Sequence, residues 1–452
     1  MNLGKKLQSC KGETSRVQRD EGAKMKYYSL IDKVYGRKNL KQAYLAVRAN
    51  RGAPGVDGQT VDAYGENLEA ELDALHLELK TGTYEPKPVR RVEIPKPDGS
   101  KRPLGVPTVR DRVVQQALLN VMQPIFDPEF HPSSYGYRPG RSCQQAVAKA
   151  ERYMNQHGLK YVVDMDLSKC FDRLDHDLIL QGINRKISDG TVLRLIRQFL
   201  EAGVMKDGVY EDTEIGSPQG GVISPLIANI YLDYFDQAMK SRGIHIVRYA
   251  DDILIFARSP RQAEKYKKIA YGILEDELKL VVNREKTQIT SVYKGVPYLG
   301  FVIYRRYVGI NPRKVKAFKD TIRKLTPRNH GMNVEAMVRR LNPVLRGWIN
   351  YFRAANCKGA VQDLMGWIRR RLRMKRMREW KSWKALHKEL RRRGYKGEFQ
   401  KISMRRWRNS ASPLLSLALP NSWFDEIGLV DLAGYEVGIL HRYYEIQTTE
   451  AC

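Results

Sequence analysis

Apolar positions along this chain follow two spacings, and the change from one to the other divides it. In Tyr161-Val162-Val163-Asp164-Met165-Asp166-Leu167 a β-branched run ends in acids. A period of two sets Asp164 and Asp166 on one face of that strand and Val163, Met165 and Leu167 on the other. Ile244-His245-Ile246-Val247 and the run from Ile253 to Ala257 read as two further buried strands. The short stretch between them, through Arg248, Tyr249, Ala250, Asp251 and Asp252, predicts a hairpin that projects two adjacent carboxylates from its tip. Helical spacing appears in Leu226 to Leu232, straight after the glycine-rich turn Gly216-Ser217-Pro218-Gln219-Gly220-Gly221. After about Asn311 it dominates. Leu341, Leu345, Trp348, Ile349 and Phe352 form one apolar stripe, with Arg339, Arg340 and Arg346 elsewhere on the same helix. Strands packed on helices, followed by a helical region, predict an α+β fold.

The acids carry the candidate chemistry. In-line phosphoryl transfer with two Mg²⁺ ions about 3.5–4 Å apart needs carboxylates from more than one segment, and Asp166 with Asp251 and Asp252 supplies them. Such a site suits a nucleic-acid polymerase. Each acid also has an ordinary reading. Asp-Asp is common turn chemistry, Asp166 could cap a helix starting near Leu167, and Asp164 could be a solvated or hydrogen-bonded strand acid. The glycine-rich turn lets backbone approach a ligand and offers unpaired N–H groups at the helix start; it reads equally as a plain loop before a capped helix.

Charge narrows the partners. The 452 residues carry a formal net charge of +29, with a pI near 9.8, a field that favours a polyanion and steers nucleic acid onto the surface. Between Val361 and Ser410 there are 18 Lys/Arg against 4 Asp/Glu. Trp380, Trp383, Tyr395 and Trp407 are interleaved with those cations, a combination that suits stacking on bases, although large aromatics commonly anchor helix packing. Beyond Pro420 the chain turns mildly acidic, so the last twenty residues look peripheral to RNA binding. No run approaches ~18–20 apolar residues, so no membrane span is expected, and the basic start lacks the apolar core of a secretory signal. Cys10, Cys143, Cys170, Cys357 and Cys452 form neither a disulfide framework nor a zinc pattern, which points to a reducing, cytoplasmic setting. Residues 1–25 are polar and aperiodic, predicting a mobile extension. Turn residues at Thr326–Gly331 and Asn409–Pro413 mark breaks between helices.

The order Asp166…Phe171, Ser217-Pro218-Gln219-Gly220, Tyr249-Ala250-Asp251-Asp252, Leu280 to Thr287, then Tyr298-Leu299-Gly300-Phe301 resembles the ordered blocks of a reverse transcriptase palm. Arg90 to Pro107 and Ser134 to Ser142 resemble the fingers of bacterial group II intron reverse transcriptases. Asn50 to Gly58 matches an N-terminal block that retroviral enzymes lack, and Leu341 to Arg373 resembles the maturase thumb. The likeness runs from about Leu40 to about Leu432 and is nearest the compact class C members without an endonuclease domain.

That resemblance implies a right-hand polymerase fold. Residues 1–25 would be an extension, 26–160 the N-terminal block and fingers, 161–310 the palm, 311–392 the α-helical thumb and 393–452 a small basic nucleic-acid-binding domain. It implies Asp166, Asp251 and Asp252 as the catalytic triad on two Mg²⁺, with the Leu167 carbonyl as a further metal ligand. Lys96 and Arg102 would hold the triphosphate, and Gln219, Gly220, Ala250 and Lys286 would line the nucleotide site. Phe171 would be the steric gate against a ribose 2′-OH; without the register it reads as a core phenylalanine. Arg369, Arg370, Arg373, Lys375 and Arg376 are the candidate RNA-binding cations. The implied partners are the intron RNA, an RNA template, a DNA or RNA primer, target DNA and dNTPs. Two other readings remain, a non-catalytic splicing cofactor and a reverse transcriptase of a defence-related lineage.

Overall fold

The computed structural model describes residues 26–95, 99, 101–206, 209–211, 215–216, 220–327, 329, 331–398, 400–402 and 410–444. The extension 1–25 lies outside them, as do Lys96, Gln219 and Trp407. The chain forms two compact units, one of residues 1–141 with 163–289 and one of residues 142–162 with 290–452.

The first unit opens with α1 (Ile31–Tyr35), α2 (Arg37–Ala49), α3 (Val61–Glu66) and α4 (Leu68–Thr81). On α2 the buried residues are Leu40, Ala43, Tyr44 and Val47, the three-and-four spacing of one helix face. β1 (Val89–Pro95) and β2 (Lys101–Val106) pair antiparallel, and β1 also pairs in parallel with β4 (Val204–Lys206), which adds β5 (Val209–Glu211). α5 (Val109–Phe126) starts where Thr108 accepts a hydrogen bond from the Asp111 amide. α6 (Cys143–Asn155) belongs to the second unit. β3 (Tyr161–Asp166) follows, then α7 (His176–Asn184), α8 (Gly190–Glu201), α9 (Ser224–Ser241), β6 (Ile246–Tyr249), β7 (Asp252–Ala257), α10 (Pro260–Tyr271) and β8 (Gln288–Ser291). The sheet they form has the order β6-β7-β3-β8. Its apolar positions Val162, Val163, Met165, Ile253, Leu254 and Ile255 are fully buried.

The second unit holds a three-stranded antiparallel sheet of β9 (Val296–Tyr298), β10 (Phe301–Ile303) and β11 (Val308–Ile310), with β10 central. After it come α11 (Pro312–Leu325), α12 (Val334–Phe352), α13 (Lys358–Trp380), α14 (Trp383–Arg392), α15 (Pro413–Ala418) and α16 (Asn421–Glu426). The expected stripe on α12 is present: Leu341, Leu345, Ile349 and Phe352 are buried, and Trp348 stacks on Phe318 of α11 with ring centroids 4.4 Å apart. The break expected near Thr326 separates α11 from α12.

The cationic helix α13 is largely answered from within. Arg369 pairs with Asp431 at 3.2 Å, Arg373 donates to the Leu419 carbonyl at 2.9 Å, and Arg376 pairs with Glu335 and Glu379. Arg369 and Arg373 also sit over the Phe424 ring, and Arg376 over Trp423. Phe424 is 1% exposed and closes this contact. Phe424→Ala should therefore destabilise the second unit by about 3–5 kcal/mol, read as a lowered urea midpoint.

Candidate active site

The hairpin tip is built by strand pairing and a buried charge. Tyr249 is registered opposite Asp252, so β6 and β7 run up to the acids and leave only Ala250 and Asp251 as the turn. β6 runs two residues and β7 one residue nearer the tip than the apolar runs alone indicate, because the ladder continues through Arg248, Tyr249 and Asp252. Ala250 adopts φ +57°, the left-handed conformation favoured in two-residue hairpin turns. On the other edge of β6, the Arg248 amide donates to the Ser133 carbonyl and the Tyr135 amide to the Arg248 carbonyl, both at 2.9 Å. A Cβ on Gly136 would overlap the Ala250 amide nitrogen, so only glycine lets this segment lie against the turn.

Arg248 is the residue that the sequence reading passed over. Its side chain has no exposed surface and meets Asp236 of α9 through Nε at 2.9 Å and Nη2 at 2.6 Å. Its Nη1 donates to Asn229 Oδ1 at 3.0 Å and to the Ala250 carbonyl at 3.1 Å. Asn229 in turn donates to the Gly136 carbonyl at 2.8 Å. One guanidinium thus ties a helix, a strand and the acid-bearing turn together. A partial signal was available: Arg248 follows an apolar run, and Asn229, Asp233 and Asp236 fall at helical spacing on one face of the preceding helix, which leaves open which acid it meets.

Asp166 ends β3, the neighbour of β7 in the sheet. It does not cap a helix. The next helical turn, Cys170–Arg173, starts after Lys169, which is in the left-handed conformation and makes no side-chain cap. The Asp166 carbonyl accepts from the Asn283 amide at 2.8 Å, Leu167 bridges antiparallel to Val282, and the Ser168 amide donates to the Val281 carbonyl. This clamp brings Lys286 to Asp166, with Nζ 3.1 Å from Oδ2.

The electrostatics join the two segments. The Asp252 carboxyl, open to solvent on one side but set among protein atoms, is pushed up to about 7. Partial desolvation is the first cause, followed by the charges of Asp251, Asp166 and Asp164, with Lys286 opposing them. Asp164 is raised to about 6, chiefly by burial. Among the described residues, no three His, Cys, Asp or Glu side chains converge tightly enough to hold a metal ion as they stand. Even so, hard oxygen donors that repel one another in this way fit a Mg²⁺-type cation, whose charge would relieve the repulsion.

The expected nucleotide-site residues are placed unevenly. Of Arg102 only the backbone is described, paired with Ile94. Phe171 is half-buried and meets Tyr137 edge to face, with centroids 6.4 Å apart. Gly220 has φ +120°, and a Cβ there would overlap the Gly105 carbonyl, so Gly220 itself lies against β2. The Gly216 carbonyl is held by His176 Nε2 at 2.7 Å. Of the candidate RNA-binding cations Arg370 is exposed, Lys375 is half-buried, and Arg369, Arg373 and Arg376 are engaged as described above.

Arg248→Met leaves Asp236 buried and uncompensated, and should cost about 3–5 kcal/mol of stability in urea unfolding. Pairing it with Asp236→Leu, which removes both charges, should recover most of that loss.

Residues 94–303 match the reverse transcriptase (RNA-dependent DNA polymerase) family, and residues 315–394 match the group II intron, maturase-specific domain. Asp166, Asp251 and Asp252 fall in the first match, and α12 and α13 in the second. The chain is 35% identical over 306 residues to protein YkfC of Escherichia coli K12, an alignment covering 59% of this chain and 80% of YkfC. It is 29% identical over 347 residues to the group II intron-encoded protein LtrA of Lactococcus lactis subsp. cremoris, covering 62% of this chain and 57% of LtrA. To the putative COX1/OXI3 intron 1 protein of Saccharomyces cerevisiae it is 32% identical over 276 residues, 59% of this chain and 31% of that protein. Among the described residues no helix is long and apolar enough to cross a membrane. The homology supports a reverse transcriptase/maturase function in general, and at the family level a metal-dependent, reverse-transcriptase-like nucleotidyl transfer. By its two matched domains, and by a relative that it covers over four-fifths of its length, the chain belongs to the family of group II intron-encoded reverse transcriptase/maturase-like proteins.

Proposed function

We propose that this protein is an RNA-directed DNA polymerase that extends a DNA or RNA primer on an RNA template with dNTPs. In this reading it also binds its own intron RNA as a maturase, assisting splicing and insertion at target DNA. Within the family we assign it to the compact class C type, acting in the cytoplasm. The observation that carries the reading is the electrostatic coupling of Asp252, on a hairpin tip fixed by Arg248, to its neighbour Asp251 and to Asp166 on the adjacent strand.

The site residues divide the work. Asp166, Asp251, Asp252 and the Leu167 carbonyl would hold two Mg²⁺ ions, which when bound lower the pKa of the primer 3′-hydroxyl and stabilise charge on the phosphoryl oxygens. Lys96 and Arg102 neutralise the triphosphate and orient its α-phosphate toward that hydroxyl. Gln219, Gly220 and Ala250 shape the nucleotide pocket. Lys286 moderates the repulsion at Asp166, with which it is already paired. Phe171 meets the sugar edge, where an aromatic ring disfavours a ribose 2′-OH. In the lobes proposed for residues 311–452, RNA phosphates meet Arg370 and Lys375, while Arg369, Arg373 and Arg376 shape that surface through their contacts with Asp431, the Leu419 carbonyl and the Trp423 ring.

Primer extension on an RNA template with dNTPs and Mg²⁺ tests the reading. Asp251→Ala/Asp252→Ala should lower extension by at least roughly 100-fold while RNA binding persists. A folded, RNA-binding wild type that does not extend primers would make the splicing cofactor the correct reading. Phe171→Ala should raise ribonucleotide incorporation relative to dNTPs; an unchanged preference would assign the ring a packing role.

A further inference from the structure

One end of the β9–β11 sheet carries a surface that the carboxylate site does not use. Tyr293, in the turn before β9, is 53% exposed, and Tyr307, in the β10–β11 turn, is 49% exposed. Lys160, Lys294, Arg305 and Arg306 are exposed in the same turns and in the segment leading into β3. Lys160 Nζ lies 6.0 Å and the Arg305 guanidinium 5.7 Å from the Tyr293 ring centroid. Tyr307 is stacked on Tyr304, with centroids 4.7 Å apart and planes 21° from parallel.

The surface is ordered by its backbone. The Tyr304 amide donates to the Tyr307 carbonyl at 2.9 Å and closes the β10–β11 turn, and the Val292 amide donates to the Lys160 carbonyl at 3.0 Å. Asn155 Nδ2 donates to the Tyr304 carbonyl at 3.3 Å. Among the described residues, none of the four cations has a carboxylate partner, in contrast to Arg369 and Arg376 on α13. Scattered exposed tyrosines need no explanation. Two exposed rings, one of them stacked on Tyr304, beside four unneutralised cations combine the two elements that bind single strands, stacking platforms and phosphate-neutralising charges.

We propose that Lys160, Tyr293, Lys294, Arg305, Arg306 and Tyr307 form an auxiliary binding surface for an unpaired polynucleotide strand, with bases stacked on the two tyrosines and phosphates on the cations. The surface adds to the nucleic-acid reading above but does not depend on polymerase chemistry.

The test uses the full chain without dNTPs, so its outcome is separate from that of primer extension. Short unstructured oligouridine and oligothymidine, each carrying iodinated pyrimidines, are photocrosslinked to the protein, and their binding is measured across a salt series. Crosslinked peptides should contain Tyr293 or Tyr307. Use of both strands alike assigns an unpaired strand of either sugar, and preference for one assigns that nucleic acid; either supports the proposal. Arg305→Gln/Arg306→Gln should reduce the slope of log K against log salt by about 1.4, at ~0.7 per phosphate contact. Tyr293→Ala/Tyr307→Ala should weaken binding by at least roughly 30-fold with the slope preserved. If the hairpin variant fails to fold, Lys160→Gln/Lys294→Gln, outside that hairpin, should lower the slope equally. Crosslinks found only elsewhere, or wild-type affinity and slope in the folded variants, would overturn the proposal. So would binding to anionic phospholipid vesicles that the variants lose while oligonucleotide binding is kept.

Discussion

The buried pair of Arg248 and Asp236 is the constraint on which the acid-bearing turn depends. Both side chains are removed from solvent, so the charges are stable only together, and the guanidinium can satisfy its donors only if α9, β6 and the Ala250 carbonyl keep their places. A pair like this contributes little net stability compared with an apolar replacement of the same volume. Its contribution is to geometry. The turn between Tyr249 and Asp252 cannot relax without breaking a hydrogen bond that water cannot replace.

Positive charge in this chain does two different jobs. On α13 much of it is matched by Asp431, Glu335 and Glu379 and covered by Trp423 and Phe424, so the helix is a packing element as well as a basic one. In the carboxylate site Lys286 offsets part of a repulsion that still leaves Asp252 well above the usual carboxylate range. The total of 79 Lys and Arg therefore overstates the number of cations free to meet phosphate.

Local periodicity made the strands and helices legible. Val163 and Met165 are buried on β3, and Leu167 just beyond its end, at the expected period of two, and the α12 stripe is buried at helical spacing. The two-acid hairpin was legible for the same reason. Long-range pairing was not, because no local pattern specifies it. Arg248 gives no hint in sequence of which acid it meets, and only the fold shows that a Cβ on Gly136 would strike Ala250. Composition misled at Arg369, Arg373 and Arg376. Their partners include Glu335, 41 residues upstream on α12, the Leu419 carbonyl, 46 residues downstream, and Asp431, 62 residues downstream, separations that no local pattern encodes.

The order in which the chain organises itself follows from where the hub residues fall. Asn229, Asp236, Arg248 and Ala250 lie within one short stretch of sequence, and the loops that bring them together are small. Closing small loops costs little entropy, so the guanidinium hub of the turn joins near neighbours, while the Ser133–Gly136 segment reaches it from further upstream. Asp166, by contrast, must be recruited from far upstream by a separate strand pairing. The acidic cluster is thus assembled from a part that is shaped locally and a part that arrives, and the electrostatic repulsion between them is met only once the second part docks.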